Sequence, residues 1–471
     1  MVELVETPIP DLVVLRLEIH EDSRGWFKEN WQREKMLAAG LPDFGPVQNN
    51  MSLNAHRGAT RGTHTEPWDK LVSVATGRVF AAWVDMREGP SFGTVFHLEM
   101  GPDTAVFVPR GVGNSYQALE DGTVYSYLVN DHWRPGIAYP ALHLGDPTCA
   151  IPWPIPLDQA EISEKDHSNP TLDAVTPVAP KKTLIIGANG QLGRALHDQF
   201  PGADLVDLVA DPDRDVTALD ASDPTAIAAM AWRDYGVVLN AAAYTSVDAA
   251  ETPEGRVTAW QANATAPALL ARAADEHGFT LVHYSSEYVF DGTRELHTED
   301  EPLSPLGVYA QSKAAGDIAV STSRRHYLIR TSWVVGEGRN FVRTMLDLAA
   351  RGVSPAVVDD QLGRLTFTDE LVRATKHLLA SGAEFGTYNV SNGGQTMSWY
   401  DVAAAVFDHA GREDGAVSRT TTEAYAAGKD LAPRPAHSVL DLTKLAATGF
   451  TSLDGATTLG AYCRKFMIET G

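Results

Sequence analysis

The sequence predicts a multidomain protein, with an all-β barrel or sandwich first and an α/β domain built on a doubly wound parallel sheet second. Three observations carry that division. Residues 1 to about 173 hold short apolar or alternating runs parted by Gly, Pro and Asp turns. The stretch from Ser168 to Lys182 has three prolines and no apolar periodicity. From Thr183 onward, strand-like and helix-like segments alternate. A chain of 471 residues is also too long for one ordinary core.

In the first domain, 1–173, the runs Lys70–Val74, Val79–Val84 and Ala105–Val108 read as strands, spaced as in a jelly roll, and Gln32–Ala39 reads as a helix between them. Residues 174–182 read as an interdomain linker. In the second domain, 183–471, the fully apolar strand Leu184-Ile185-Ile186 runs into a glycine turn and a helix over Arg194–Phe200. The strand Val237–Asn240, the helix Ala259–His277 and the strand Leu281–Ser285 follow. Such alternation implies a parallel sheet covered on both faces.

Composition narrows the function classes. A net charge of −23 offers no basic stripe for nucleic acid and repels anionic membranes. No apolar run approaches the ~20 residues of a membrane span, and the N-terminus lacks the basic start of a signal peptide. A cytoplasmic enzyme is the simplest expectation. Cys149 and Cys463 are the only cysteines, too few for a disulfide framework or a cysteine metal cluster.

The glycines of Gly187-x-x-Gly190-x-x-Gly193 each have a physical task. Gly187 permits the tight turn, Gly190 lets backbone approach phosphate, and Gly193 lets helix and strand pack closely. The helix N-terminus that follows presents free N–H groups to a dinucleotide pyrophosphate, as in a Rossmann-type fold, with Asn189, Gln191 and Leu192 of the turn as further cofactor-binding candidates. Downstream, Tyr309 and Lys313 stand four apart on a helix. Tyr309 suits protonation of a forming alkoxide. Lys313 is expected to lower its pKa and to hold the nicotinamide ribose. Ser286, ending a strand, suits a hydrogen bond to the carbonyl oxygen.

Residues 183–471 resemble dTDP-4-dehydrorhamnose reductase, an extended short-chain dehydrogenase/reductase. The resemblance runs through Asn240–Glu251, Asn263–Pro267, Arg330–Gly336, Asn340–Val342, Asp360–Gly363, Tyr388–Asn392 and Arg434-Pro435. It implies a small substrate-binding subdomain and NADPH or NADH as cofactor, with Ala242, Ala243 and Thr245 lining it and Asp220 near the adenine. It places Val247, Tyr288 and Trp333 against the sugar nucleotide. Ser286-Glu287 stands where the family has Thr-Asp. Arg214 is a weak candidate for a 2′-phosphate contact, and no ligand set for the Mg2+ of some relatives is evident.

In the first domain a buried histidine in a β-barrel suggests a cupin. His64 and Glu66 offer two metal ligands, but Asn114 stands where a later His would be needed, so no metal is expected. Without metal, His64 suits proton transfer. Residues 1–173 resemble dTDP-4-dehydrorhamnose 3,5-epimerase through Asp22–Glu29, Val47–Asn50, Arg61–His64, Lys70–Val72, Val84–Arg87, Ser91–Gly93, Ile151–Pro154 and Ser163–Asp166. The resemblance implies His64 as base paired with Asp166, Lys70 at the oxyanion and Tyr127 as acid. It further implies nucleotide contacts from Arg24, Glu29, Gln48, Asn50 and Arg61, and a homodimer through this domain. Asn114-Ser115-Tyr116 replaces the family's His-Gly-Phe, and Trp133 replaces a Tyr. Together the two resemblances imply a bifunctional enzyme acting on a dTDP-4-keto-6-deoxy sugar. The alternative is an active reductase joined to a single-centre epimerase or to a non-catalytic sugar-nucleotide-binding cupin.

Overall fold

Strands with one face of apolar residues must bury that face, and the first half of the chain does so by stacking two antiparallel sheets. In the computed structural model, which describes residues 2–133, 139–413 and 415–470, the chain divides into two units meeting at Pro180 and Lys181. In the first, six strands lie in the order Glu3–Glu6, Val13–Arg16, Thr104–Val108, Lys70–Thr76, Thr123–Val129, Gln48–Asn54. Four more follow the order Thr60–His64, Val112–Ala118, Val79–Asp85, Val95–Met100. Val72, Val74 and Tyr125 of the larger sheet share a core with Ala81, Trp83 and Tyr116 of the smaller, the facing sheets of a jelly roll. The predicted helix forms as Arg33–Ala38, its start capped by the Gln32 side chain.

The segment read as a linker is tied to the first unit. Leu172 is buried, and its N–H donates to Asp146 Oδ2 at 2.7 Å. Val178 exchanges backbone hydrogen bonds with Met86 and Glu88, and Arg110 donates to the Ala179 carbonyl. Leu172 and Val175 supply the apolar contacts that its proline content obscures. The segment therefore follows the barrel surface as far as Ala179.

In the second unit seven parallel strands lie in the order Val216–Ala218, Asp204–Asp207, Lys182–Ile186, Tyr235–Asn240, Thr280–Ser286, His326–Thr331, Gly386–Asn389. Separate apolar clusters cover its two faces, as expected of a doubly wound sheet. The helix after the glycine turn starts at Gln191, three residues before the predicted Arg194, because Gly190 takes the extended backbone of an N-cap. The predicted helix Ala259–His277 starts earlier, at Pro253, and carries a π turn over Gln261–Thr265. A smaller subdomain gathers Trp333, Val342, Leu346, Val402, Val406 and Leu459 into its own core. No described helix is long and apolar enough to cross a membrane.

Candidate active sites

His64 ends the strand Thr60–His64, and its Nε2 lies 2.8 Å from Asp166 Oδ1, a residue 102 positions away. Asp166 sits in the short helix Glu164–His167, where the Ser163 side chain caps the Asp166 N–H. Burial works against the Asp166 charge, but hydrogen bonds from His64, the Gly62 N–H and Ser163 outweigh it and hold the carboxyl below its usual range. A carboxylate acceptor favours the imidazole proton on Nε2 and leaves a lone pair on Nδ1. The His64 side chain is 38% exposed, while the Asp166 carboxyl behind it is buried.

Lys70 and Tyr127 lie on neighbouring strands of the larger sheet, with Val129 opposite Lys70 and Val72 opposite Tyr127. Burial pushes the Lys70 ammonium down to about 7, while the Glu66 carboxylate in contact with it favours the charged form. Burial also raises the Tyr127 phenol. Asn114 pairs with His64 across the smaller sheet, and its Oδ1 accepts the Tyr125 hydroxyl at 3.1 Å. Tyr125 in turn stacks on Tyr116 at 4.0 Å. The Asn-Ser-Tyr departure thus builds a tyrosine stack beside the histidine. Arg61 bonds Asn54, and Gln48 bonds both Asn50 and the Trp133 N–H. Arg24 and Glu29 are exposed, engaged with Asp22 and Lys35 rather than with His64.

In the second unit a cavity of about 900 Å³ opens at the carboxyl ends of the strands. Asn189, Gly190, Gln191, Leu192, Ala243, Thr245, Tyr309 and Lys313 all line it. The cradle fits a dinucleotide. A methyl at Gly187 would meet the Ala242 nitrogen at 2.4 Å, and one at Gly193 would meet the Gly187 oxygen at 2.1 Å, so only glycine lets backbone close around an anion here. The Thr331 hydroxyl, on the cavity wall, is buried without a protein partner. Asp220 falls outside the lining, exposed in the loop after Val216–Ala218, with its carboxylate spent on Ser222. Arg214 is bound to the Ala188 carbonyl and Asn189 Oδ1.

Tyr309 and Lys313 are buried on the helix Val308–Val320. Lys313 Nζ donates to the Tyr284 carbonyl at 2.7 Å, and burial pulls it down to about 8. The expected lowering of Tyr309 by Lys313 is absent. Burial raises the phenol instead, and ionised Glu287 raises it further, with Ser286 alone opposing them. Tyr288 meets Tyr309 edge-on at 5.9 Å, and Val247 packs with both. Trp333 stacks on Trp399 at 3.7 Å inside the smaller subdomain.

Several positioning residues escape a reading of the sequence. Asn263, in the π turn, bonds both backbone groups of Tyr244 and the Ser312 hydroxyl, joining the cofactor loop to the Tyr309 helix. A methyl at Gly316 would meet the Asn263 oxygen at 2.1 Å, which explains that close helix crossing. Glu251 accepts the Val308 N–H and caps the same helix. Both lie in motifs that match the reductase family, but nothing in spacing reveals their targets. Tyr462, Lys465 and Phe466 of the last helix also line the cavity.

Comparison with known proteins accords with this geometry. The family described as RmlD substrate binding domain matches residues 181–462, and that described as dTDP-4-dehydrorhamnose 3,5-epimerase matches residues 6–174. The chain belongs to both families. Its epimerase half is similar to a protein RmlC homolog of Streptococcus pyogenes, with 44% identity over 37% of this chain and 90% of that protein. Its reductase half is similar to dTDP-4-dehydrorhamnose reductase of Aggregatibacter actinomycetemcomitans, with 37% identity over 56% of this chain and 92% of that one. A crystal structure of dTDP-4-dehydrorhamnose reductase from Bacillus anthracis in complex with NADP covers 61% of this chain and 99% of its own. It is 30% identical, with a TM-score of 0.52.

Proposed function

We propose that the chain carries out consecutive steps on one sugar nucleotide, epimerising dTDP-4-dehydro-6-deoxy-glucose at C3 and C5 and then reducing the C4 ketone. The observation that carries this reading is the presence, in one polypeptide, of the His64–Asp166 dyad and of Tyr309 and Lys313 on the wall of a dinucleotide cradle, with Ser286 interacting with Tyr309. Hydrogens at C3 and C5 are acidic because both carbons flank the ketone. His64 Nδ1 removes one, Asp166 balances the imidazolium, Lys70 steadies the enolate oxygen, and Tyr127 returns a proton on the opposite face. When bound, a reduced nicotinamide dinucleotide supplies hydride to C4. Ser286 orients the carbonyl oxygen and Tyr309 donates the proton that makes it an alcohol. Asn189 to Leu192, with Ala242, Ala243 and Thr245, hold the dinucleotide, and Val247, Tyr288 and Trp333 face the sugar nucleotide.

The same reading makes the epimerase half a dimer. Met51 and Leu53 are 68% and 64% exposed on the edge strand Gln48–Asn54, an apolar row of the kind edge pairing covers. Arg24 and Glu29, exposed on this protomer, would then serve a partner's nucleotide. The test uses the purified chain with NADPH. His64→Ala should stop NADPH oxidation on the unepimerised sugar while leaving oxidation on pre-epimerised ketone intact. Tyr309→Phe should abolish oxidation on both and spare deuterium exchange at C3 and C5. An H64A chain that oxidises NADPH at the wild-type rate on the unepimerised sugar would refute the assignment.

A further inference from the structure

Glu287 is a buried carboxyl without a buried cation. It is 4% exposed, and its Oε2 accepts the Ser286 hydroxyl at 2.8 Å. No Lys, Arg or His lies within ion-pair distance of it among the described residues. Ser286 also interacts with the Tyr309 phenol, favouring its ionisation. The charged and titratable groups around this chain of hydroxyls are few. They are the Tyr288 and Tyr309 phenols, Lys313 and Asp317 on the Tyr309 helix, and Asp248 and Arg434, which act on Tyr288. Asp317 is already engaged by Arg330 at 2.9 Å, and Arg434 by Asp248 at 2.8 Å. An uncompensated carboxylate in such a place is costly, so the resting group carries a proton.

We infer that Glu287 is the proton reservoir of the reductase site, recharging Tyr309 through Ser286 after each turnover. The inference rests on the reductase reading above. When C4 is reduced, the Tyr309 O–H bond breaks, its proton goes to the ketone oxygen, and a phenolate remains. The Ser286 proton then moves to that phenolate, the Glu287 proton moves to Ser286, and a carboxylate is left at Glu287. Solvent reprotonates it after the product departs. Burial raises Glu287 to about 8, so the reservoir is filled at neutral pH and empties as pH rises past that value. Glu287 acts through Ser286 and is a positioning and relay residue rather than one that touches the reacting carbon.

The experiment is stopped-flow NADPH oxidation by the full chain on pre-epimerised dTDP-4-dehydrorhamnose. Wild type at pH 7 should give a linear trace. Glu287→Gln should give a burst of one NADPH per chain at the wild-type rate, then a steady state about 10- to 100-fold slower. Glu287→Asp, which keeps the carboxyl, should restore the linear trace. Wild type at pH 9, with the carboxyl ionised and no mutation made, should show the same burst. A linear wild-type trace at pH 9 overturns the relay, as does an E287Q chain whose first turnover slows together with its steady state. Absence of any oxidation by wild type at pH 7 would instead overturn the reductase reading.

Discussion

Replacing Asp166 by Asn keeps the shape of the dyad and removes its charge. The magnitude follows from the geometry. Proton abstraction turns His64 into a cation whose Nε2 is 2.8 Å from Asp166 Oδ1. Unit charges with centres ~4 Å apart attract by about 4 kcal/mol at an effective dielectric near 20. The imidazole is 38% exposed, so solvent screens part of this. Screening of that order leaves about 2 kcal/mol, or roughly a 30-fold loss of rate. Asn can also turn its amide N–H₂ toward Nε2 and favour the wrong tautomer, which adds to the loss. The assay is deuterium incorporation at C3 and C5 from D₂O, followed by NMR without any nicotinamide. D166N should slow exchange at least 30-fold, on the estimate above, while NADPH oxidation on pre-epimerised ketone stays at the wild-type rate. Exchange within twofold of wild type would refute the dyad. Equal loss of both activities would show general damage to the chain instead of a lost charge.

Gly193→Ala places a methyl where the Gly187 oxygen lies at 2.1 Å, so dinucleotide affinity should fall by about tenfold or more in a fluorescence titration, with deuterium exchange untouched. Asn263→Ala strands the Tyr244 backbone groups, and it should destabilise the second unit by about 2 kcal/mol in calorimetry and lower its turnover. Glu287 has a folded-state pKa raised to about 8, so the folded state binds the extra proton between its unfolded value and 8. Stability of the second unit should therefore be greatest below that window and fall as pH rises through it, and E287Q should flatten the decline in thermal unfolding scans. Met51→Glu, on the exposed edge strand, should convert a dimer to monomer in light scattering.

The glycine turn and the Tyr309/Lys313 spacing were legible because each follows a local rule, a positive φ at Gly187 and one helical turn between side chains. Strand alternation likewise revealed the barrel. The pairing of His64 with Asp166 spans 102 residues, and only family resemblance could suggest it. What Lys313 touches was not legible either. Its Nζ is claimed by the Tyr284 carbonyl through strand-to-helix packing, which no spacing encodes. The segment up to Ala179 misled for the opposite reason. Its prolines mark an absence of regular structure, yet Val178 still finds a bridge partner on the barrel. Glu287 stood out only as a departure from the family's Asp, and its burial at 4% exposed is a property of the fold that no spacing encodes.

The last helix bears on how the chain matures. Tyr462, Lys465 and Phe466 complete the wall of a cleft whose floor, the glycine turn, lies over 260 positions earlier by subtraction of their numbers. A ribosome delivers the barrel whole by Pro180, so that half can fold while translation continues. The dinucleotide cleft has to wait until residue 466 has emerged. A nascent chain stalled before that helix would carry a finished epimerase fold and an open, unroofed reductase.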